Sequence, residues 1–183
     1  MLVKIKEIGD NGLSLKLPVT AVWLAAECPG LDAKPGPGGL NVRGQLLETE
    51  GQIFLRGKLQ GTLESTCSRC LESARLPIDV PLAVTFLPRD EDSDRHKGDD
   101  DAAEDDEEEN LDVASYDGDE IDLSPEIRDQ LLLSLPITPI CREDCAGLCP
   151  VCGGNRNQVP CTCRVAESPA RTPLADVLGK IKI

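Results

Sequence analysis

The clearest pattern in the chain is an alternation of apolar and polar positions through its first half. Ile53, Leu55, Leu59 and Leu63 share one parity, Gly57 and Gly61 fill the gaps on that face, and two further steps reach Cys67. Beyond "CSRC" (67–70), Ala74, Leu76, Ile78, Val80, Leu82, Val84 and Phe86 hold a second alternation. A period of two puts successive apolar side chains on one face of an extended strand. Residues 40–87 therefore read as sheet, with two long antiparallel strands joined near Cys67–Cys70. Pro77 and Pro81 lie on the opposite parity and lack an N–H for a ladder, which predicts an edge strand or a bulge.

Upstream, residues 2–17 read as two short strands around the turn "GDNG" (9–12), and "VTAVWLAAE" (19–27) as a short helix. The stretch "CPGLDAKPGPGG" (28–39) reads as a loop, because its prolines and glycines suit neither a ladder nor a helix interior. Downstream the period lengthens. "DLSPEIRDQLLLSLP" (122–136) predicts a helix capped by Ser124, with Pro125 at its first position, Glu126 at its positive end and Pro136 as its stop. Ile127 and Leu131 mark its apolar face. "LPITPIC" then runs extended to Cys141. Leu174, Val177, Leu178 and Ile181 fall at i, i+3, i+4 and i+7, which predicts a terminal amphipathic helix packed on its own domain.

These elements predict an α+β protein. It has an antiparallel sheet with a cysteine-tipped hairpin, a few helices, and a C-terminal zinc-ribbon-like module docked on that tip. Residues 1–88 form the β-rich core, 89–120 an acidic disordered loop, and 121–183 a helix, the cysteine-rich module and the terminal helix, all packed as one domain. The N-terminus has no continuous apolar region of the secretory kind, and no stretch approaches the ~18 apolar residues of a membrane span. The expectation is a soluble cytoplasmic protein.

Charge sharpens this division. The formal net charge is −14. Residues 89–110 hold three basic and 13 acidic side chains, 3 − 13 = −10, and the rest of the chain carries only −4. Residues 141–183 are slightly basic, 6 − 4 = +2. Global charge thus says little about any one binding surface. Like charges with nothing apolar to bury predict disorder in the acidic run, and its His96 carries no metal or catalytic signal. Trp23, Phe54, Phe86 and Tyr116 are the only aromatic residues, so aromatic platforms for stacking bases are not expected.

The cysteines carry the candidate chemistry. Cys28 has no partner close in sequence and reads as a spare thiol. The other eight form pairs: Cys67-x2-Cys70, Cys141-x3-Cys145, Cys149-x2-Cys152 and Cys161-x-Cys163. Two tetrahedral thiolate sites need eight sulfurs, and soft thiolates suit zinc. Cys149, Cys152, Cys161 and Cys163 can close one compact site, with the glycines of "CPVCGG" permitting positive φ after the second ligand. Cys67 and Cys70 would then join Cys141 and Cys145, stapling the hairpin tip to the segment after the helix. A single site of Cys67, Cys70, Cys149 and Cys152 is the alternative. Stable disulfides are disfavoured in a cytoplasmic protein. Neither CxxC stands at the strand-to-helix junction of a thioredoxin-like βαβ unit, and the spacings are not those of ferredoxin clusters. With one histidine in the chain, a catalytic zinc with an open position and a nearby base is not expected. No P-loop or dinucleotide-binding fingerprint is present.

In order, "CSRCLE", an acidic run, "IDLSPEIRDQLLLSLPITPIC", "CREDCAGLCPVCGGNRNQVPCTC" and "PLADVL" resemble the bacterial YceD family, the large ribosomal RNA subunit accumulation proteins. The resemblance covers about residues 40–183. The "PGPGG" loop and the tail "SPARTPLADVL" depart from the family's usual wording. The resemblance implies a non-enzymatic cytoplasmic factor for accumulation of 23S ribosomal RNA, through its synthesis, processing or stability. The implied partners are a ribosomal particle, ribosomal RNA or a ribosomal protein, with no small-molecule substrate and no membrane. Arg142, Arg156 and Arg164 are the candidate contacts to RNA or partner. The competing expectation is a zinc-stabilised protein–protein adaptor that touches no RNA.

Overall fold

A computed structural model describes residues 1–89 and 112–163. The elements run β1 (Leu2–Lys4), a 3-10 turn (Ile5–Glu7), β2 (Leu13–Val19), α1 (Ala21–Glu27), β3 (Ala33–Thr49), β4 (Gln52–Thr66), β5 (Ser73–Pro88), β6 (Asp112–Tyr116), β7 (Glu120–Asp122) and α2 (Ser124–Ser134). Five strands form one sheet in the order β2-β3-β4-β5-β6, and β1 pairs with β7 in a separate two-stranded sheet. All pairs are antiparallel except β5–β6. Among the described residues the result is α+β with a mostly antiparallel sheet and two helices.

The long hairpin follows the alternation in the sequence. Ile53, Leu55, Leu59, Leu63 and Cys67 are all fully buried; Ile78, Leu82, Val84 and Phe86 share the main core with the first four, while Ala74 and Cys67 pack in a smaller cluster at the hairpin tip. The β4–β5 register runs from Ile53↔Phe86 to Thr66↔Ser73, so "CSRC" sits at the turn. Pro77 and Pro81 oppose Thr62 and Lys58, while β6 covers only Val84–Pro88 on the other side of β5. Both prolines therefore lie where β5 is an edge. Helices α1 and α2 pack on the apolar face, α1 against β3 and α2 against β5, with Leu24, Ile127 and Leu131 buried between. Each such side chain contributes about 1.5–3 kcal/mol of burial.

Several sequence expectations need correction. The two N-terminal strands exist but do not pair with each other: β1 joins β7 and β2 joins β3. The loop expected over 28–39 ends at Asp32. From Ala33 the chain is already β3, paired with β4 through Pro35↔Leu63 and then irregular until Leu40↔Gly61. Pro35 and Pro37 are tolerated because β2 reaches only to Leu40, leaving this end of β3 an edge. The loop expected over 89–120 also ends early, since 112–116 is β6, laid parallel to β5. The disorder expected of the acidic run, and the terminal helix at 174–181, lie outside the described residues. Ser124 does not cap α2. Its own N–H donates to Asp122 Oδ1 at 2.9 Å, its hydroxyl accepts a short hydrogen bond from the Met1 amine, and Leu123 is the cap residue.

Candidate metal centres

The hairpin tip and the segment after α2 meet around four sulfurs. Cys67 and Cys70 come from the β4–β5 turn, Cys141 and Cys145 from the chain beyond Pro136. Cys67 Sγ lies 4.0 Å from Cys145 Sγ, and Cys70 Sγ lies 3.6 Å from Cys141 Sγ. A second set, Cys149, Cys152, Cys161 and Cys163, gathers in the final described segment; within each set the sulfurs lie within 4.8 Å of one another. All nine cysteines are free thiols. The division is the one the spacing suggests, not the single site of Cys67, Cys70, Cys149 and Cys152. Cys28 stands apart, buried in the main core, where burial pushes its thiol pKa up.

Backbone geometry explains why each CxxC presents its sulfurs inward. Cys67 N–H donates to Glu72 O at 2.8 Å, and Leu71 N–H donates to Cys67 O at 2.9 Å. In the second turn Cys149 N–H donates to Gly154 O and Gly153 N–H to Cys149 O, both at 2.8 Å. The residue after the second cysteine has positive φ in both, 61° at Leu71 and 70° at Gly153. Amide hydrogens converge on the first sulfur of each turn. Burial raises the Cys67 thiol, but N–H groups of Cys70, Arg69 and Cys141 outweigh it and hold its pKa at about 6. Amides of Cys152 and Val151 hold Cys149 at about 6 as well. With one sulfur in each set prone to be negative, another becomes hard to ionise. Burial and the neighbouring sulfurs push Cys141 up to about 12, and Cys152 leads the effects that push Cys163 to about 12.

The two sets are joined by the loop 153–160. Asn157 Nδ2 donates to Cys145 Sγ at 3.3 Å, which leads the effects lowering that thiol's pKa. Its Oδ1 accepts from Ala146 N at 2.8 Å and from Arg142 at 2.9 Å. Asn155 Nδ2 and Gln158 Nε2 both donate to Glu72 Oε1 on the hairpin, at 3.3 and 2.8 Å. Leu148 N–H donates to Arg69 O at 2.9 Å, and Leu148 bridges Asn155 antiparallel, the one ladder contact of the ribbon-like module among the described residues. Gly147 (φ 69°) must be small, because a Cβ there would stand 3.0 Å from Arg69 O.

Of the three candidate contact arginines, Arg142 is committed to Asp144 (3.2 Å) and Asn157. Arg156 is exposed and forms no ion pair among the described residues. Arg164 lies outside them. Asn157, Glu72 and Arg69 were not anticipated from the sequence. The signal for Asn157 was the run "GGNRNQ" itself, whose amides matter here more than its arginine.

The four-sulfur sets fit a soft metal. A tetrahedral centre with metal–sulfur bonds of about 2.3 Å places its sulfurs about 3.8 Å apart, beside the 3.6 and 4.0 Å observed.

Comparison with known proteins agrees with the order of these features. Residues 55–181 match the family profile described as "Large ribosomal RNA subunit accumulation protein YceD". Uncharacterized proteins of Mycobacterium bovis and Mycobacterium tuberculosis are 31% identical over 127 residues, 69% of this chain and 56% of theirs, so the chain spans little more than half of these relatives. A Zea mays protein named "Large ribosomal RNA subunit accumulation protein YCED homolog 1, chloroplastic" is 39% identical over 59 residues, 32% of this chain and 20% of its own length. No solved structure matches. No helix among the described residues is long and apolar enough to cross a membrane. By the reach of the profile match, from mid-hairpin through both cysteine sets, the chain belongs to the YceD family.

Proposed function

We propose that this protein is a non-enzymatic, zinc-stapled factor that supports accumulation of large-subunit ribosomal RNA in the cytoplasm, working on a ribosomal particle through RNA or a ribosomal protein. The observation that carries the reading is the pair of all-thiol tetrads in a chain of this family. Zinc is the metal of choice because four soft thiolates in a tetrahedral spacing suit it and it brings no redox chemistry. Cys67, Cys70, Cys141 and Cys145 would hold one ion, and Cys149, Cys152, Cys161 and Cys163 the other. Each ion would act as a cross-link. Four thiolates fill the coordination sphere, and the chain's one histidine, His96, belongs to the acidic run, so no water-activating centre is built.

Metal analysis of the reduced, purified chain should give two zinc ions per molecule, and depleting the protein from its host should lower the ratio of large- to small-subunit ribosomal RNA. One ion or none removes the two-staple reading. An unchanged RNA ratio removes the ribosomal role and leaves a zinc-stabilised adaptor between proteins.

A further inference from the structure

Among the described residues, the helices cover one face of the five-stranded sheet and leave much of the other open. Across that open face, Lys16 stands opposite Arg43, Arg43 opposite Lys58, and Lys58 opposite Pro81. All three cations are exposed. Strands about 4.8 Å apart put three positive side chains within a strip of about 10 Å. Like charges directly opposite one another weaken a strand pair, so this row does not serve the fold. The same sheet shows what the fold would choose: Lys34, Glu64 and Arg75 are also opposed across three strands, and there the signs alternate, with pairs at 3.7 and 3.6 Å. Around the like-charged row the neighbouring positions are Ser14, Gln45 and Arg56 on one side and Asn41, Gln60 and Asp79 on the other. Asp79 is the one acid in these rows and pairs with Lys58 at 3.4 Å, whereas Lys16 and Arg43 form no ion pair among the described residues.

We propose that this open face is a docking surface for the phosphodiester backbone of RNA, centred on Lys16, Arg43 and Lys58. Most of the net charge of −14 lies in residues 89–110, so a local strip of cations can hold a polyanion despite the acidity of the whole chain. Phosphates are what such a row can hold; polar amides beside it can bond sugar or phosphate oxygens, and binding should depend little on base sequence. The choice of RNA among polyanions rests on the ribosomal reading above.

The test is binding of a fluorescein-labelled, unstructured 20-nucleotide RNA to the full zinc-loaded chain between 50 and 300 mM salt. Three phosphate contacts give a log–log salt slope of about −2. The triple variant Lys16→Gln, Arg43→Gln, Lys58→Gln should weaken binding at least about tenfold at low salt and bring the slope near zero. Arg43→Gln alone, the central and least disruptive change, should weaken it about threefold. Lys34→Gln with Arg75→Gln, at the compensated row, should leave it unchanged. RNA affinity that ignores the triple variant, or falls equally with the control pair, overturns the proposal. So does an absence of RNA binding together with carbodiimide cross-links from Lys16 or Lys58 to carboxylates of residues 90–109, which would give the row to the chain's own acidic run. No RNA binding with a lowered ribosomal RNA ratio on depletion sinks this surface and spares the function. Row-dependent binding with an unchanged ratio does the reverse.

Discussion

Both CxxC turns close on the same two backbone hydrogen bonds and place their next residue at positive φ, yet their settings are opposite. The turn at Cys67 joins two long strands, and its tetrad is largely buried, with Ala74 and Ile140 packed beside it. The turn at Cys149 lies outside any strand, and Cys152 and Cys163 of its tetrad are exposed. A sheet that folds on its own leucines delivers half of the first tetrad ready-made. Nothing comparable delivers the second, which must draw its order from the metal and from the bonds that the 153–160 loop makes to the hairpin. The same local turn is thus an ornament on a finished fold in one place and the organiser of a segment in the other.

The largest break in this comparison is metal removal. Structural zinc supplies on the order of 10 kcal/mol or more to small all-thiolate modules. Chelation under reducing conditions should strip hydrogen-exchange protection from residues 141–163 while the amides of β3, β4 and β5 stay protected. Loss of protection throughout the sheet would mean that the hairpin depends on the metal as much as the loop does. Next come single ligands. Cys67→Ser and Cys152→Ser should each release one ion, but Cys67→Ser should lower the melting temperature more, by several kcal/mol of stability, because it leaves a buried, incomplete set beside the core. Equal shifts would erase the distinction between the two tetrads.

Asn157 ties the two settings together, since it rides on the second module and bonds a sulfur of the first. Asn157→Ala should weaken metal at the Cys67 set about 10- to 100-fold in chelator competition and leave the Cys149 set near wild type. Acidity should act on the first set in a stated direction. Cys141, pushed up to about 12, and Cys70, also raised, hold protons at pH 7 that metal must displace. Affinity therefore falls as pH falls, by at least about tenfold per pH unit between pH 8 and 6; a flat profile would show that the set is already ionised. The smallest effect separates the turns themselves. Leu71 pays for its left-handed backbone where Gly153 does not, so Leu71→Gly should stabilise by up to about 0.5 kcal/mol and Gly153→Ala should cost about 1 kcal/mol in thermal unfolding.

Much of this was legible in the chain because the signals are local. Alternation from Ile53 to Phe86 names its own buried face, and eight thiols in four close pairs admit few groupings. Ile127 and Leu131 likewise mark the face of α2. What stayed hidden depends on residues far apart. Nothing near Leu2 announces that it will pair with Asp122, and Asp112–Tyr116 gives no sign that it will run parallel to β5. Pro35 reads as a loop residue until the short reach of β2 makes its stretch an edge. Ser124 has the chemistry of a cap, but Asp122 and the Met1 amine claim its donor and acceptor first. The like-charged row on the open face is invisible for the same reason, since Lys16, Arg43 and Lys58 become neighbours only through the register.

The parallel pairing of β5 and β6 also bears on what lies between them. The register sets Val84 beside Asp112 and Pro88 beside Tyr116, so the chain leaving Arg89 must return only about five residues back along its own strand, roughly 16 Å at 3.3 Å per residue. A crossover of about a dozen residues suffices for such a return, whereas residues 90–111 provide 111 − 90 + 1 = 22. Halving that length would change the closure entropy by only about 0.6 kcal/mol. The sheet therefore sets no tight limit on how long or how acidic this insertion is, and its thirteen carboxylates can be tuned by the surroundings in which the molecule works without redrawing a single strand.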